Sequence, residues 1–321
     1  MWKYIDDVQC KDFLLSLCLL NCENDKEYLK KIYSISNNIE ENYIIHKIKK
    51  RNGKYRTIYA PKATLKHIQR QILNNILNNK STSKYAMAYK KGISLKQNAQ
   101  VHTNKKIILK LDIKDFFENI KFIDIYNCCF SIEYFPKSIG MLLTYLCTYD
   151  DYLPQGAPTS SYISNLVMKD FDEELGSWCE GLNISYTRYS DDMTFSGDFD
   201  PKEVINKVRN LLSILGLKLN KEKIHVISNN NRQGVTGLVV NKKVQVDIKY
   251  RKKIRQEIYF IKKFGIESHI KRLKDNAQSE DYLNKLYGRI LFVLQITPDN
   301  KEFIEYKEYL KNIMMKTRDN I

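Results

Sequence analysis

The chain has 321 residues, 43% of them hydrophobic, which makes it too long for one small core and short for two large independent domains. Lys and Arg outnumber Asp and Glu by 53 to 37, a net charge of +16 with a pI near 9.3, a balance that favours a polyanionic partner, although a basic surface also serves solubility. Seven scattered cysteines without a C-x-x-C pair and five histidines without zinc-ligand spacing count against a disulfide scaffold or a zinc module and fit free thiols in a reducing, cytoplasmic compartment.

Residues 2–38 read as two helices separated by the polar run Asn21 to Asp25. Phe13 to Leu20 is apolar but short, and Asp6, Asp7 and Asp12 stand where a signal peptide would carry positive charge. No segment has the length to span a membrane. Ile44 to Ile48 and Tyr55 to Tyr59 flank Asn52-Gly53, a two-residue turn signal, and predict a hairpin. Its tip is basic, with Lys47, Lys49, Lys50, Arg51, Lys54 and Arg56; such charges are simply solvated unless a phosphate meets them. After Pro61 a helix is predicted with Leu65, Ile68, Ile72, Leu73 and Ile76 on one face. Asn98 and His102, four apart, would share a helix face, where RNA contact, capping and core packing all stay open.

Ile107 to Leu111 reads as a buried strand with Asp112 at its end. A strand-end Asp often only caps a turn, and so can Asp115. Of the adjacent Phe116 and Phe117, one is expected in the core. Tyr149-Asp150-Asp151 reads as an ordinary turn or cap. In Leu153 to Ser161, Pro154, Gly156 and Pro158 break the chain, and Ile163, Leu166, Val167, Phe171 and Leu175 then predict one helix. That loop could contact a template base or a triphosphate, or be a plain turn before a core helix. The β-prone Ile184 to Arg188 and the apolar Met193 to Phe195 bracket Tyr189-Ser190-Asp191-Asp192, two strands meeting at a turn with acids at its tip. Adjacent buried acids repel unless a cation neutralises them. With Asp112 as a further carboxylate, the set matches what a two-metal phosphoryl-transfer site needs.

After Val240 the character changes. From Asn241 to Lys274 there are 12 Lys or Arg against 3 acids. Val244, Val246 and Ile248 alternate as in a short strand. Ile254, Ile258 and Ile261 then make a helical stripe opposite Lys252, Lys253, Arg255, Lys262 and Lys263, and Leu283, Leu286, Ile290 and Leu294 mark a further helix. The basic face is either solvated or a grip on a nucleic-acid backbone.

The ordered series LDIKDFF, LPQGAPTSSYISNL and YSDD resembles the motifs of reverse transcriptases. Asn98-Ala99-Gln100-Val101-His102 is similar to the NAxxH element, and Val235-Thr236-Gly237 to the VTG element, of the bacterial retron subgroup. The resemblance covers roughly residues 40–320, and Ser190 replaces the alanine common there. It implies an α/β (α+β) right-hand polymerase: N-terminal helices over 1–38, fingers and an antiparallel-sheet palm over 39–240, and a small helical thumb over 241–321.

By the same resemblance, Asp112, Asp191 and Asp192, with the backbone carbonyl of Ile113, would hold two Mg²⁺ ions. Arg56, Asp115, Phe117 and Gln155 would meet the deoxynucleoside triphosphate, with Phe117 rejecting a ribose 2′-hydroxyl. Lys223 corresponds to a lysine that can protonate pyrophosphate, although a plain solvated lysine is the competing reading of that position. Thr236, Gly237, Asn98, His102, Lys252, Lys253 and Arg255 would contact primer or RNA. The implied partners are a structured non-coding RNA serving as template and primer, the RNA–DNA hybrid, and a separate effector protein in antiphage defence. The product would be a branched RNA-linked DNA. Three other readings compete: another bacterial reverse transcriptase of abortive-infection or group II intron type, an idle RNA-binding scaffold, and a two-metal nuclease. A nuclease needs neither the aromatic gate nor the basic fingers, and an idle scaffold would have no use for all three acids.

Overall fold

Asp6 opens the first helix by a reciprocal cap: its side chain accepts from Gln9 N, and the Gln9 side chain accepts from Asp6 N. In this computed structural model, which describes residues 5–49, 53, 55–273 and 279–319, the N-terminal part runs α1 (Asp7–Ser16), α2 (Asp25–Asn37), β1 (Tyr43–Lys49), β2 (Tyr55–Pro61) and α3 (Ala63–Asn75). The β1–β2 hairpin pairs antiparallel from Tyr43↔Pro61 to Lys49↔Tyr55. The predicted turn residue Asn52 and the basic residues Lys50, Arg51 and Lys54 lie outside the described residues; Gly53 has φ +82.

There follow α4 (Leu95–Gln100), β3 (Ile107–Asp112), α5 (Phe122–Cys129), α6 (Lys137–Cys147), α7 (Ser160–Val167), α8 (Lys169–Gly181), β4 (Ser185–Tyr189), β5 (Asp192–Gly197) and α9 (Pro201–Ile214). The single helix expected after Pro158 is two, α7 and α8, joined at Met168, whose ψ of 4° leaves the helical range. The apolar stripe nevertheless runs through the joint, because Ile163, Leu166, Val167, Phe171 and Leu175 are all buried. The C-terminal part comprises β6 (His225–Ser228), β7 (Gly234–Val235), β8 (Leu238–Val239), β9 (Gln245–Val246), α10 (Ile248–Phe264), α11 (Ile266–Leu273), α12 (Ser279–Ile296) and α13 (Lys301–Asp319). The strand expected over 244–248 stops at Val246. Asp247 accepts hydrogen bonds from the amides of Lys249 and Tyr250 and so starts α10 with Ile248 inside it.

The chain forms two compact units, one of Met1–Ile93 with Leu109–Val226, the other of Ser94–Ile108 with Ile227–Ile321. In the first, Leu65, Ile68 and Ile72 of α3, Leu109 and Leu111 of β3, Leu143 and Leu146 of α6, and Met193 and Phe195 of β5 share one apolar core. In the second, Ile254, Ile258 and Ile261 of α10 pack with Leu283, Leu286 and Ile290 of α12. The larger sheet has the order β4-β5-β3-β6, which sets the end of β3 beside the β4–β5 hairpin. Among the described residues no helix is long and apolar enough to cross a membrane.

Candidate active site

β4 and β5 pair antiparallel from Ser185↔Ser196 to Tyr189↔Asp192, leaving Ser190 and Asp191 as a two-residue turn. Ser190 takes φ +62 and Asp191 is not left-handed, the pattern of a type II′ connection. Asp191 therefore sits in the turn while Asp192 opens the next strand. The end of β3 is tied to this turn, since Ile113 N donates to the Asp191 carbonyl at 3.0 Å. On its other side the Asp112 carbonyl accepts from Asn220 N at 2.8 Å, and Lys114 N donates to the Lys218 carbonyl at 2.8 Å.

These backbone bonds bring Asp112, Asp191 and Asp192 around one cavity of about 1060 Å³. Arg56, Ile113, Asp115, Phe117, Gln155 and Lys223 line the same cavity. Phe116 is buried and Phe117 half-buried, so Phe117 is the more accessible ring. Asp115 is exposed and left-handed at φ +46, and its carbonyl accepts from Asn119, so its backbone serves the turn. Gly156, at φ +116, lies against β2: a Cβ there would stand 2.9 Å from both Ile58 Cγ2 and the Tyr59 carbonyl. This close approach lets Tyr59 N donate to the Gln155 carbonyl at 2.7 Å and fixes Gln155 at the cavity wall.

Asp191 and Asp192 are poorly neutralised. Burial, then the charge of Asp112, raises the Asp191 pKa, and burial, then Asp191, raises that of Asp192. Asp112 is met by Lys223, whose Nζ lies 2.6 Å from Oδ2, and by Asn220 Nδ2, 3.2 Å from Oδ1. Burial opposes the Lys223 charge, but the bond to Asp112 and the fields of all three acids raise its pKa. Among the described residues no three Asp, Glu, His or Cys side chains are already closed into a metal cage. The donor set still fits a hard divalent cation: it consists of mutually repelling carboxylate oxygens, with a lysine holding one of them.

A buried network holds the hairpin from behind, and sequence reasoning missed it. Arg188 is 0% exposed. Its Nη2 lies 2.6 Å from Asp172 Oδ2 and 3.2 Å from Asn165 Oδ1, while Nη1 donates to the Ser190 carbonyl at 3.0 Å. Tyr186 donates to the same Asp172 carboxylate at 2.8 Å, and Tyr89 donates to Ser190 Oγ at 3.1 Å. The available signal was an arginine within a strand of buried residues, matched by an aspartate beside Phe171 on the apolar face of α8.

The second unit holds the other expected contacts. Thr236 and Gly237, at φ +45 and +84, are the two-residue turn between Val235 and Leu238, a type I′ connection that is costly for a β-branched residue. Asn98 Nδ2 donates to Thr236 Oγ1 at 3.3 Å across 138 residues of chain. Asn98 is 1% and His102 0% exposed; burial, then Lys105, pushes the His102 pKa down to about 3. Both side chains are therefore interior to this unit, and the shared helix face expected for them is cut short, since α4 ends at Gln100 and His102 lies in the turn after it. Lys252 and Lys253 are exposed. Arg255 is not available in the same way: its guanidinium makes a two-point ion pair with Glu302 at 2.6 and 2.7 Å.

Residues 48–261 match the family model described as reverse transcriptase (RNA-dependent DNA polymerase). The retron Ec86 reverse transcriptase of Escherichia coli is 30% identical over 288 residues, which cover 86% of this chain and 85% of that protein. The retron Ec73 reverse transcriptase of Escherichia coli is 31% identical over 294 residues, 84% of this chain and 89% of that one. The retron Mx65 reverse transcriptase of Myxococcus xanthus is 28% identical over 286 residues, 81% of this chain but 62% of its own length. A cavity ringed by three acids at the end of β3 and on the β4–β5 hairpin, within a chain so matched, places this protein among the RNA-directed DNA polymerases, in the family of bacterial retron reverse transcriptases.

Proposed function

We propose that this enzyme copies a structured non-coding RNA into a DNA that stays joined to that RNA through a 2′-hydroxyl, giving a branched product. The observation that supports the catalytic half is the convergence of Asp112, Asp191 and Asp192 on one cavity. In this reading those side chains and the Ile113 carbonyl hold Mg²⁺, which when bound lowers the pKa of the attacking hydroxyl and offsets the triphosphate charge. Arg56, whose fork can grip a phosphate at two points, meets the triphosphate. Phe117 and Gln155 border the sugar, and an aromatic edge offers a 2′-hydroxyl neither space nor a hydrogen bond. Lys223 is released from Asp112 when the acids are neutralised and can then donate a proton toward the leaving pyrophosphate. Deoxynucleoside triphosphates are the co-substrates, and Thr236 and Gly237 approach the primer.

We assign residues 1–38 as N-terminal helices, 39–240 as fingers and palm, and 241–321 as thumb. To this reading we add a cytoplasmic setting and a role in antiphage defence with a separate effector protein. The test is primer extension by the purified protein together with the RNA encoded beside its gene. A DNA product that RNase shortens but does not free of its last ribonucleotide, and that 2′,5′-debranching releases, is expected. Extension only from an added 3′-hydroxyl primer would remove the branched-product reading and leave a general reverse transcriptase.

A further inference from the structure

Asp191 is the acid that sits in the β4–β5 turn itself, and that turn is held at three points. Two holds are on backbone carbonyls: Arg188 Nη1 donates to that of Ser190 at 3.0 Å, and Ile113 N to that of Asp191 at 3.0 Å. The third needs a side chain at position 190, since the Tyr89 hydroxyl donates to Ser190 Oγ at 3.1 Å. Tyr89 reaches the turn from a segment laid alongside β4. Arg188 N donates to the Tyr85 carbonyl and Met87 N to the Arg188 carbonyl, both at 2.8 Å. Asn165 Nδ2 donates to the Ala88 carbonyl at 2.8 Å, and Lys90 Nζ to the Ser83 carbonyl at 2.9 Å. Between those anchors Tyr89 takes φ +61. Glycine or asparagine suits that backbone; a bulky aromatic there is strained and persists only where the surroundings hold it. The ring is 45% exposed and lines the catalytic cavity together with Asp112, Asp191 and Asp192, with its hydroxyl end on the turn.

We propose, on the reading that Asp191 is a cation ligand, that Tyr89 is a positioning residue acting through Ser190: it holds the turn in the frame that offers the Asp191 carboxylate to the metal. In a two-residue turn a rotation at the first residue swings the second, so the torsions of Ser190 and the direction of Asp191 are linked. Without a cation the carboxylates of Asp112, Asp191 and Asp192 repel one another, which pushes Asp191 outward. The two carbonyl bonds act on the peptide units that follow Ser190 and Asp191. The Tyr89 bond acts on the Ser190 side chain, and so on the torsion before them. Order imposed on the ligand before the ion arrives is order that binding need not supply, so the cation is held more tightly.

The test uses the full chain without RNA or nucleotide. Mn²⁺ is the probe, a cation that carboxylates hold as they hold Mg²⁺, and its bound fraction is read from the loss of the free-ion electron paramagnetic resonance signal. Tyr89→Phe keeps the ring and removes the donor; Ser190→Ala removes the acceptor. Each is expected to weaken Mn²⁺ binding roughly threefold to tenfold, and the double variant no further than either alone, because one shared bond is lost. Melting temperatures in EDTA should stay within about 2 °C of wild type, a reading that a merely structural role would move. Primer extension on an RNA template should fall at limiting Mg²⁺ and recover toward wild type as Mg²⁺ is raised. Wild-type Mn²⁺ affinity in Tyr89→Phe would overturn the proposal, and so would losses that add in the double variant. Asp191→Asn, measured alongside, keeps the two readings apart. If it binds Mn²⁺ as wild type does, the metal site itself is misassigned and the role of Tyr89 falls with it. If it loses the ion while Tyr89→Phe does not, only the role of Tyr89 is overturned.

Discussion

Two Asp-Asp pairs, each close behind a tyrosine, sit at hairpin turns in this chain, and they differ by one residue of register. In the first, Tyr149 and Tyr152 exchange backbone bonds of 3.0 and 3.1 Å, so Asp150 and Asp151 are both turn residues, at φ +45 and +62. This is a type I′ turn, which asparagine, aspartate and glycine tolerate. Both side chains are exposed, and neither lines the catalytic cavity. In the second, Ser190 takes the left-handed position, so the pair is shifted to the turn's second residue and the first residue of β5. That shift, together with the bond from Ile113 N to the Asp191 carbonyl, sets Asp191 and Asp192 beside Asp112. Identical dipeptides thus become exposed turn residues or the wall of an acidic cavity according to frame and to what lies alongside.

The largest expected effect separates the two pairs directly. Asp191→Asn with Asp192→Asn should lower Mg²⁺-dependent extension on an RNA template by roughly a thousandfold or more, because repelling acids positioned for a cation are lost. Asp150→Asn with Asp151→Asn should change it by less than about twofold. Comparable losses in both variants, each folded by circular dichroism, would mean that the frame difference has no catalytic meaning.

The support behind the second hairpin comes next. Arg188→Met leaves Asp172 buried and uncompensated, which costs about 3–5 kcal/mol. Denaturant unfolding should register that loss, and adding Asp172→Leu should recover much of it. A single-variant loss below about 1 kcal/mol would mean that the ion pair does not hold this hairpin.

Sugar choice gives a smaller effect. Phe117→Ala should lower the ratio of deoxy- to ribonucleotide incorporation roughly tenfold or more, as pocket space opens. An unchanged ratio, with Phe116→Ala lowering it instead, would reassign the ring.

The smallest effect is a pH dependence of stability. Because the folded-state pKa values of Asp191 and Asp192 are raised, the folded protein binds more protons than the unfolded chain between the unfolded and folded values. The contribution of these two groups to metal-free stability should therefore fall as pH rises through that window and stay low above it. Asp191→Asn should raise the metal-free melting temperature at neutral pH by roughly 1–3 °C, and Mg²⁺ should raise that of the wild type. A wild-type deficit relative to Asp191→Asn that does not grow as pH rises through the carboxylate range would contradict the assigned repulsion.

Much of this was legible in the residues because it depends on local chemistry. A two-residue turn signal gave β1 and β2, an apolar run gave β3, and helical apolar patterns gave α3 and the stripe of α10, since each needs only neighbours in sequence. The type I′ turn at Asp150 and Asp151 was readable as a turn, Asp112 as an acid at a strand end, and the pair at 191 and 192 as acids at a hairpin tip. The boundaries that failed were local too: Asp247 ends the predicted strand by capping α10, a competition between two short-range patterns that alternation alone cannot decide.

Only the tertiary structure decided which polar groups meet. Arg188 finds Asp172 and Asn165, Asn98 finds Thr236, and Arg255 is closed by Glu302. A buried charge or amide must find a partner, but sequence does not say where along the chain that partner lies. Asn98 and Arg255 show the consequence, since residue types that suit RNA contact equally suit internal pairing, and here Asn98 meets Thr236 while Arg255 meets Glu302. The sequence by itself determined that one acid ends a strand and two sit at a hairpin tip in a basic chain with reverse-transcriptase motifs. The backbone bonds at Ile113 and Asn220 decided that they share one cavity, because convergence is a property of strands side by side and not of residues in a row.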